Sequence, residues 1–419
     1  MKPTDVLVVG CGLAGLTAAL TAASRGKTVR VAARGAGTLA IGNACVDVLG
    51  YVNGEIVRGN PLDALGRLPE DHPYRIMGTE AVVKALRFFS RLCDENGLDI
   101  RTESRENLWI PTALGSFKPT CLCHPYMDRK SLQGHDRVII AHMPWLKDCH
   151  AQMIKTAFAR QKGFRDRELR IVELAAFGGQ THRNLTPLDV ARFVDTPDGE
   201  RWLSSQLANH VAQLDAGLCT AVLLPPVLGV ERHREIRMRM TRNTGCTLAE
   251  TVIPPPGVGG LRIRHALTQA AARAGVQIME NTHIVAARTQ GRQCLSLVAE
   301  NNGRGRELAA SSFIVATGGF LGGGVVASPG KARETIFGFD LDAPERIEDW
   351  GAPDLLDAQP YARLGVKVNG RLNAITPDGD ARWDNVYFAG RTLAGYDFAS
   401  EKSGGGVAIC SGHYAAPRC

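Results

Sequence analysis

Apolar positions open this chain as a solid block. Residues 5–9, Asp-Val-Leu-Val-Val, form a short β-branched run without polar alternation, the pattern of a strand buried on both faces. Gly10-Cys11-Gly12-Leu13-Ala14-Gly15 follows, and the Ala-, Leu- and Thr-rich stretch over 16–24 predicts a helix stopped by Arg25-Gly26. A second apolar strand is expected over 28–33, which completes a β-α-β unit. From 50 to 130 the pattern is irregular, except for an amphipathic helix over 79–96 with Val82, Leu86, Phe89 and Leu92 on one face. Strands over 138–141, 170–174 and 221–224 then alternate with helices over 147–161, 186–194 and 202–214, so this inserted stretch reads as mixed α/β. Pro254-Pro255-Pro256-Gly257 and Gly259-Gly260 read as a linker-like breaker. A helix over 261–274, strands over 276–279, 284–288, 293–299, 313–316 and 385–389, and a last helix over 407–416 complete the chain.

Composition narrows the class. At 419 residues, with 44% hydrophobic content and a net charge of +7, the chain has enough apolar material for a sizeable core and too little charge for disorder. The mean hydropathy is −0.08, and no apolar stretch approaches the roughly 18 residues of a membrane span, so no direct span is expected. A secretory signal is not expected either, because Asp5 precedes the first apolar run and glycines interrupt it. Eleven scattered cysteines, an odd number, fit free thiols in a reducing cytoplasm. The tight cluster Cys121-Leu122-Cys123-His124 has no second ligand pair at metal spacing, and no metal is expected there. With no helix-turn-helix, zinc-finger spacing or aromatic platform, nucleic acid is not the expected partner.

The glycines carry the chemistry. Gly10-x-Gly12-x-x-Gly15 sits between a strand and a helix, as a dinucleotide site requires. Gly10 allows the tight turn, Gly12 lets the backbone approach a pyrophosphate, and Gly15 lets helix and strand pack closely. Leu13 and Ala14 open the helix, whose free N–H groups face an anion. The second strand ends without the usual ribose-binding acid: Val31-Ala32-Ala33-Arg34 places a cation there, suited to a phosphate. The chain then returns to glycine clusters at Thr317-Gly318-Gly319, at Gly390 and at Ser403-Gly404-Gly405-Gly406, each ending a strand or opening a helix. Such late returns suit a flavin more than a nicotinamide, since late helix amides can stabilise negative charge on a reduced ring.

The segments Gly10 to Gly15, Arg34-Gly35, Asn43 to Leu49, Phe313 to Gly324, Glu334-x-Ile336-x-Gly338-x-Asp340 and Gly404-Gly405-Gly406 resemble the B subunits of anaerobic glycerol-3-phosphate dehydrogenase. The resemblance runs from residue 4 to about 416, weaker over 50–250. More loosely, the chain is similar to flavoproteins of the fumarate reductase and succinate dehydrogenase type. The resemblance implies a flavin-bearing subunit that passes electrons from oxidation of glycerol 3-phosphate, a small-molecule substrate, toward quinone. Its implied partners are a catalytic A subunit and a C subunit carrying iron–sulfur clusters and the membrane contact, so the expected location is cytoplasmic, peripheral to the inner membrane. The family is usually assigned FMN, whereas the Gly10–Gly15 turn suits the pyrophosphate of FAD. Gly42, Asn43 and Ala44 are expected by fold analogy to line the flavin. No histidine lies between residues 1 and 51, which excludes a covalent histidyl link there and makes the flavin non-covalent.

The expected fold is α/β: a split Rossmann-like flavin-binding domain at 1–50 plus 251–419 around an inserted lobe at 51–250. Alternatives are an independent flavin oxidoreductase and a non-catalytic nucleotide-binding scaffold. His142, Lys147, His150 and His265 carry acid–base chemistry, but none is singled out as catalytic. Arg232, Arg234, Arg237, Arg239 and Arg242 read as an ion-paired surface helix, or as a docking face for an acidic partner.

Overall fold

The first apolar run becomes β1 (Val6–Val9), every residue of it buried. It sits inside a five-stranded parallel sheet, flanked by β2 (Val29–Ala32) and β4 (Ser312–Val315), with β3 (Gln277–Met279) beyond β2 and β5 (Val386–Phe388) beyond β4. Strands enclosed on both faces need no polar alternation, which is why β1, β4 and β5 are nearly continuous apolar runs, whereas the edge strand β3 is only half-buried and begins with the exposed Gln277. The computed structural model describes residues 4–100, 106–178, 184–214, 218–301, 303–355 and 357–419. Contacts divide the chain into two compact units. The first takes in Met1–Thr38, Val46–Leu92 and Ala266–Cys419, and the second Leu39–Cys45 and Cys93–His265. Residues 51–92 thus group with the sheet of the first unit, whereas the sequence pattern places them in the inserted lobe.

In the first unit, helix α1 (Leu13–Ala23) is apolar all round and buried from Ala14 to Ala22. One side meets the sheet. Another meets α5 (Gly404–Ala415), where a Cβ on Gly412 would stand 2.3 Å from the Ala14 carbonyl oxygen. Helix α2 (Pro73–Met77) and α3 (Thr79–Glu95) precede the long excursion; α3 buries Val82, Leu86 and Phe89, while Leu92 is half-buried. The short α4 (Phe398–Glu401) leads into α5. A separate antiparallel sheet joins His283–Gln290, Gln293–Asn301 and Arg304–Ala309. Its third strand is absent from the sequence reading: only Leu308 is buried in that charged stretch, so no alternation announces it.

The second unit contains a four-stranded parallel sheet, ordered Glu168–Glu173, Arg137–His142, Thr220–Leu224, Thr247–Glu250. Alternate residues of Arg137–His142 feed two cores. Val138 and Ile140 join the helix Ala151–Ala159 on one face; Ile139 and Ala141 join the helices Pro187–Val194, Pro197–Ala212 and His233–Thr244 on the other. The helix expected from 261 begins at Val258, so Gly259 and Gly260 belong to its first turn rather than to a linker. Among the described residues no helix is long and apolar enough to cross a membrane.

Candidate functional site

Parallel strands end on one side, so the loops after β1, β4 and β5 are brought to the same sheet edge. At the first, Gly10 has φ +109°, and a Cβ there would stand 2.3 Å from the Ala316 carbonyl oxygen; a Cβ on Gly15 would stand 1.9 Å from that of Gly10. These two glycines are required by the fold itself. Gly12 differs. Nothing lies within 4 Å of the position its Cβ would take, and the residue is half-exposed. It caps α1 without a side-chain hydrogen bond, and no acidic residue occupies the first turn. The N–H groups of Leu13, Ala14 and Gly15 make no hydrogen bond within the described protein, leaving donors at a positive helix end. An open cradle with unused amides fits a pyrophosphate. Arg34 is exposed, one residue beyond the buried Ala33 that follows β2.

The loop after β4 holds Thr317, Gly318 and Gly319. Gly318, at φ +82°, donates its N–H to Thr392 Oγ1 at 3.2 Å, which ties this loop to the one after β5. Gly390, at φ +71°, lies against Ala14, and its N–H donates to Ser411 Oγ of α5 at 2.8 Å. The sequence singles out Gly390 but not Ser411 and Gly412, whose only signal is a run of small residues inside the last helix.

Helix α5 starts at the triple glycine. A Cβ on Gly406 would collide with Tyr74 Oη at 2.1 Å, and its N–H donates to the Asp47 carbonyl at 2.8 Å. Gly406 is therefore a packing glycine with an occupied amide. The Gly404 and Gly405 N–H groups make no hydrogen bond within the described protein. Gly42, Asn43 and Ala44 belong to the second unit. There they form the floor for the helix Val258–Arg273: Cβ atoms on Gly257, Gly259 and Gly260 would meet Gly42 O at 2.0 Å, Ala44 N at 2.1 Å and Leu39 O at 2.3 Å.

Of the acid–base candidates, Lys147 and His150 are exposed, and His142 and His265 are half-buried. Among the described residues the enclosed histidines are others: His72, His124 and His233. In the second unit His233 Nδ1 lies 2.9 Å from the Leu228 carbonyl and so carries the proton; its Nε2 then accepts from Tyr126 Oη at 2.6 Å. Burial holds both His124 and His233 well below the ordinary imidazole range and pushes the Tyr126 phenol well up. Nearby, Arg262 grips Glu250 through two bonds of 2.6 and 3.0 Å, both side chains being enclosed. The arginine run lies on and just before the helix His233–Thr244. Arg232 and Arg239 both bond Glu200, Arg234 approaches Asp94, and Arg237 stacks over Tyr126 at 4.5 Å. Among the described residues no group of three or more His, Cys, Asp or Glu is placed to hold a metal ion.

The FAD binding domain family matches residues 5–407. The probable B subunit of anaerobic glycerol-3-phosphate dehydrogenase from Halobacterium salinarum is 32% identical, covering 98% of this chain and 96% of that protein. The B subunit of anaerobic glycerol-3-phosphate dehydrogenase from Vibrio vulnificus is 27% identical over 97% of this chain and 93% of its own. Among solved structures, the 3-ketosteroid-delta4-(5alpha)-dehydrogenase of Rhodococcus jostii aligns with a TM-score of 0.39 at 11% identity, covering all of this chain and 96% of its own. With the FAD binding domain family matched over residues 5–407 and a relative 32% identical across nearly the whole of both chains, the chain is a flavoprotein oxidoreductase whose family cofactor is FAD: it belongs to the FAD-binding family and to the B-subunit family of anaerobic glycerol-3-phosphate dehydrogenase.

Proposed function

We propose that this chain is the flavin-bearing subunit of an anaerobic glycerol-3-phosphate dehydrogenase, which oxidises glycerol 3-phosphate to dihydroxyacetone phosphate and passes the electrons toward quinone. The observation that carries the reading is coverage: relatives named as B subunits of that enzyme align over nearly the whole of both chains. When bound, FAD supplies an acceptor for a hydride or electrons. The amides of Leu13, Ala14 and Gly15 hold the pyrophosphate, Gly12 gives it room, and Arg34 stands by for a phosphate. The amides of Gly404 and Gly405 face the pyrimidine side of the ring, where negative charge collects on reduction.

The complex contains a catalytic A subunit and an iron–sulfur C subunit that makes the membrane contact, which places this chain at the cytoplasmic face of the inner membrane. Co-expression with the two partner subunits, followed by membrane fractionation and a glycerol-3-phosphate–quinone reductase assay, tests the proposal. The expected result is a yellow chain that moves to the membrane fraction with its partners, and activity that requires all three. Full quinone reductase activity from this chain alone would favour an independent flavin oxidoreductase.

A further inference from the structure

Helix α5 begins with an unusual cap. Serine at an N-cap ordinarily turns its hydroxyl onto the amides of its own first turn. Ser403, fully buried, does not: it makes no cap bond, and its Oγ donates instead to Glu401 Oε2 at 2.9 Å. The same carboxylate oxygen lies 3.1 Å from His72 Nε2. His72 Nδ1 accepts the Tyr74 N–H at 3.1 Å, so the ring proton is on Nε2 and is donated to Glu401. The other oxygen, Oε1, accepts the Asp397 N–H at 3.1 Å. Tyr74 Oη donates to the Val48 carbonyl at 2.9 Å and also lies 3.3 Å from the Ser403 carbonyl oxygen. The side-chain groups named here are thus committed to one another and to the backbone, whereas the N–H groups of Gly404 and Gly405 make no hydrogen bond within the described protein.

We infer that His72 and Glu401 are positioning residues for FAD: they hold the Ser403 hydroxyl away from its own helix and so keep the Gly404 and Gly405 amides open for the flavin. The inference rests on the proposed contact between this turn and the flavin. Without the pair, the freed hydroxyl turns onto its own first turn and competes with the cofactor for the Gly405 N–H, since the Gly406 N–H is already held by the Asp47 carbonyl.

The test uses the full-length chain stripped of flavin and titrated with FAD. Hydrogen exchange addresses the underlying contact first: FAD is expected to slow exchange at residues 404–405. Unchanged exchange there would overturn the flavin contact itself, whatever the variants do. Glu401→Ala is expected to weaken FAD binding by about tenfold, the size of a cap interaction. Glu401→Ala combined with Ser403→Ala removes the competing hydroxyl and is expected to return the Kd to within about twofold of the parent. Glu401→Gln, which still accepts from Ser403, is expected to bind as the parent does. A double variant as weak as Glu401→Ala, with exchange still slowed by FAD in the parent, would overturn the inference and leave the contact standing. Parent-like binding by Glu401→Ala would do the same. Should Glu401→Ala not fold, Ser403→Ala decides: FAD binding within about twofold of the parent supports the inference, and a loss of tenfold or more overturns it.

Discussion

Two helices of this protein open on clustered glycines, and the glycines do opposite work. Around Gly257, Gly259 and Gly260, at the start of the helix Val258–Arg273, every missing Cβ is replaced by protein backbone within 2.3 Å. At α1, Gly10 and Gly15 are consumed in the same way, but Gly12 between them faces open space. A glycine cluster therefore signals close approach without saying what approaches. Only the neighbourhood separates a glycine that seats another stretch of backbone from one that leaves open space beside it.

The largest effect should come from filling a packed position. Gly259→Val would drive a Cβ toward Ala44 N, and a loss of about 3 kcal/mol is expected. Denaturant unfolding of the flavin-free chain measures it; stability close to the parent would mean that this turn has slack. Gly12→Val should instead leave flavin-free stability within about 0.5 kcal/mol of the parent while weakening FAD binding by about 100-fold, or ~2.7 kcal/mol. A yellow Gly12→Val protein with full flavin content would erase the contrast between the two helix starts.

The first unit also buries a carboxyl group away from its glycines. Glu334 is enclosed, and burial raises its carboxyl from 4.5 to about 7, although backbone amides of the following turn bond one of its oxygens. A raised carboxyl pKa means that the folded state holds the proton more tightly. The flavin-free chain should accordingly lose stability as pH climbs from about 4.5 through 7, by of order 2 kcal/mol. Glu334→Gln should flatten that part of the pH–stability curve; an unaltered slope would assign it to other groups.

The sheet was legible because its strands are apolar blocks and because Gly10, Gly12 and Gly15 keep their spacing between a strand and a helix. The strand Thr247–Glu250 was not. It is four residues long, and its Glu250 is tolerable in a core only because Arg262, twelve positions later, pairs with it. The His72–Glu401 contact joins residues 329 positions apart, and no local pattern can announce such a pair. The roles of Gly406 and Gly412 were hidden for a related reason: glycine reports the absence of a side chain, and the group that needs the space belongs to another segment.

The position of β1 has a consequence for how the protein is made. Its pairing with β4 joins segments about three hundred residues apart, and α1 is covered by a helix later still. At translation speeds of ~5–20 residues per second, β1 and α1 wait roughly 15–60 s before β4 leaves the ribosome. During that interval an apolar strand and an apolar helix lack half of their burial. The proposed FAD site draws on loops from both ends of the chain, so on that reading it is complete only after the last helix has emerged.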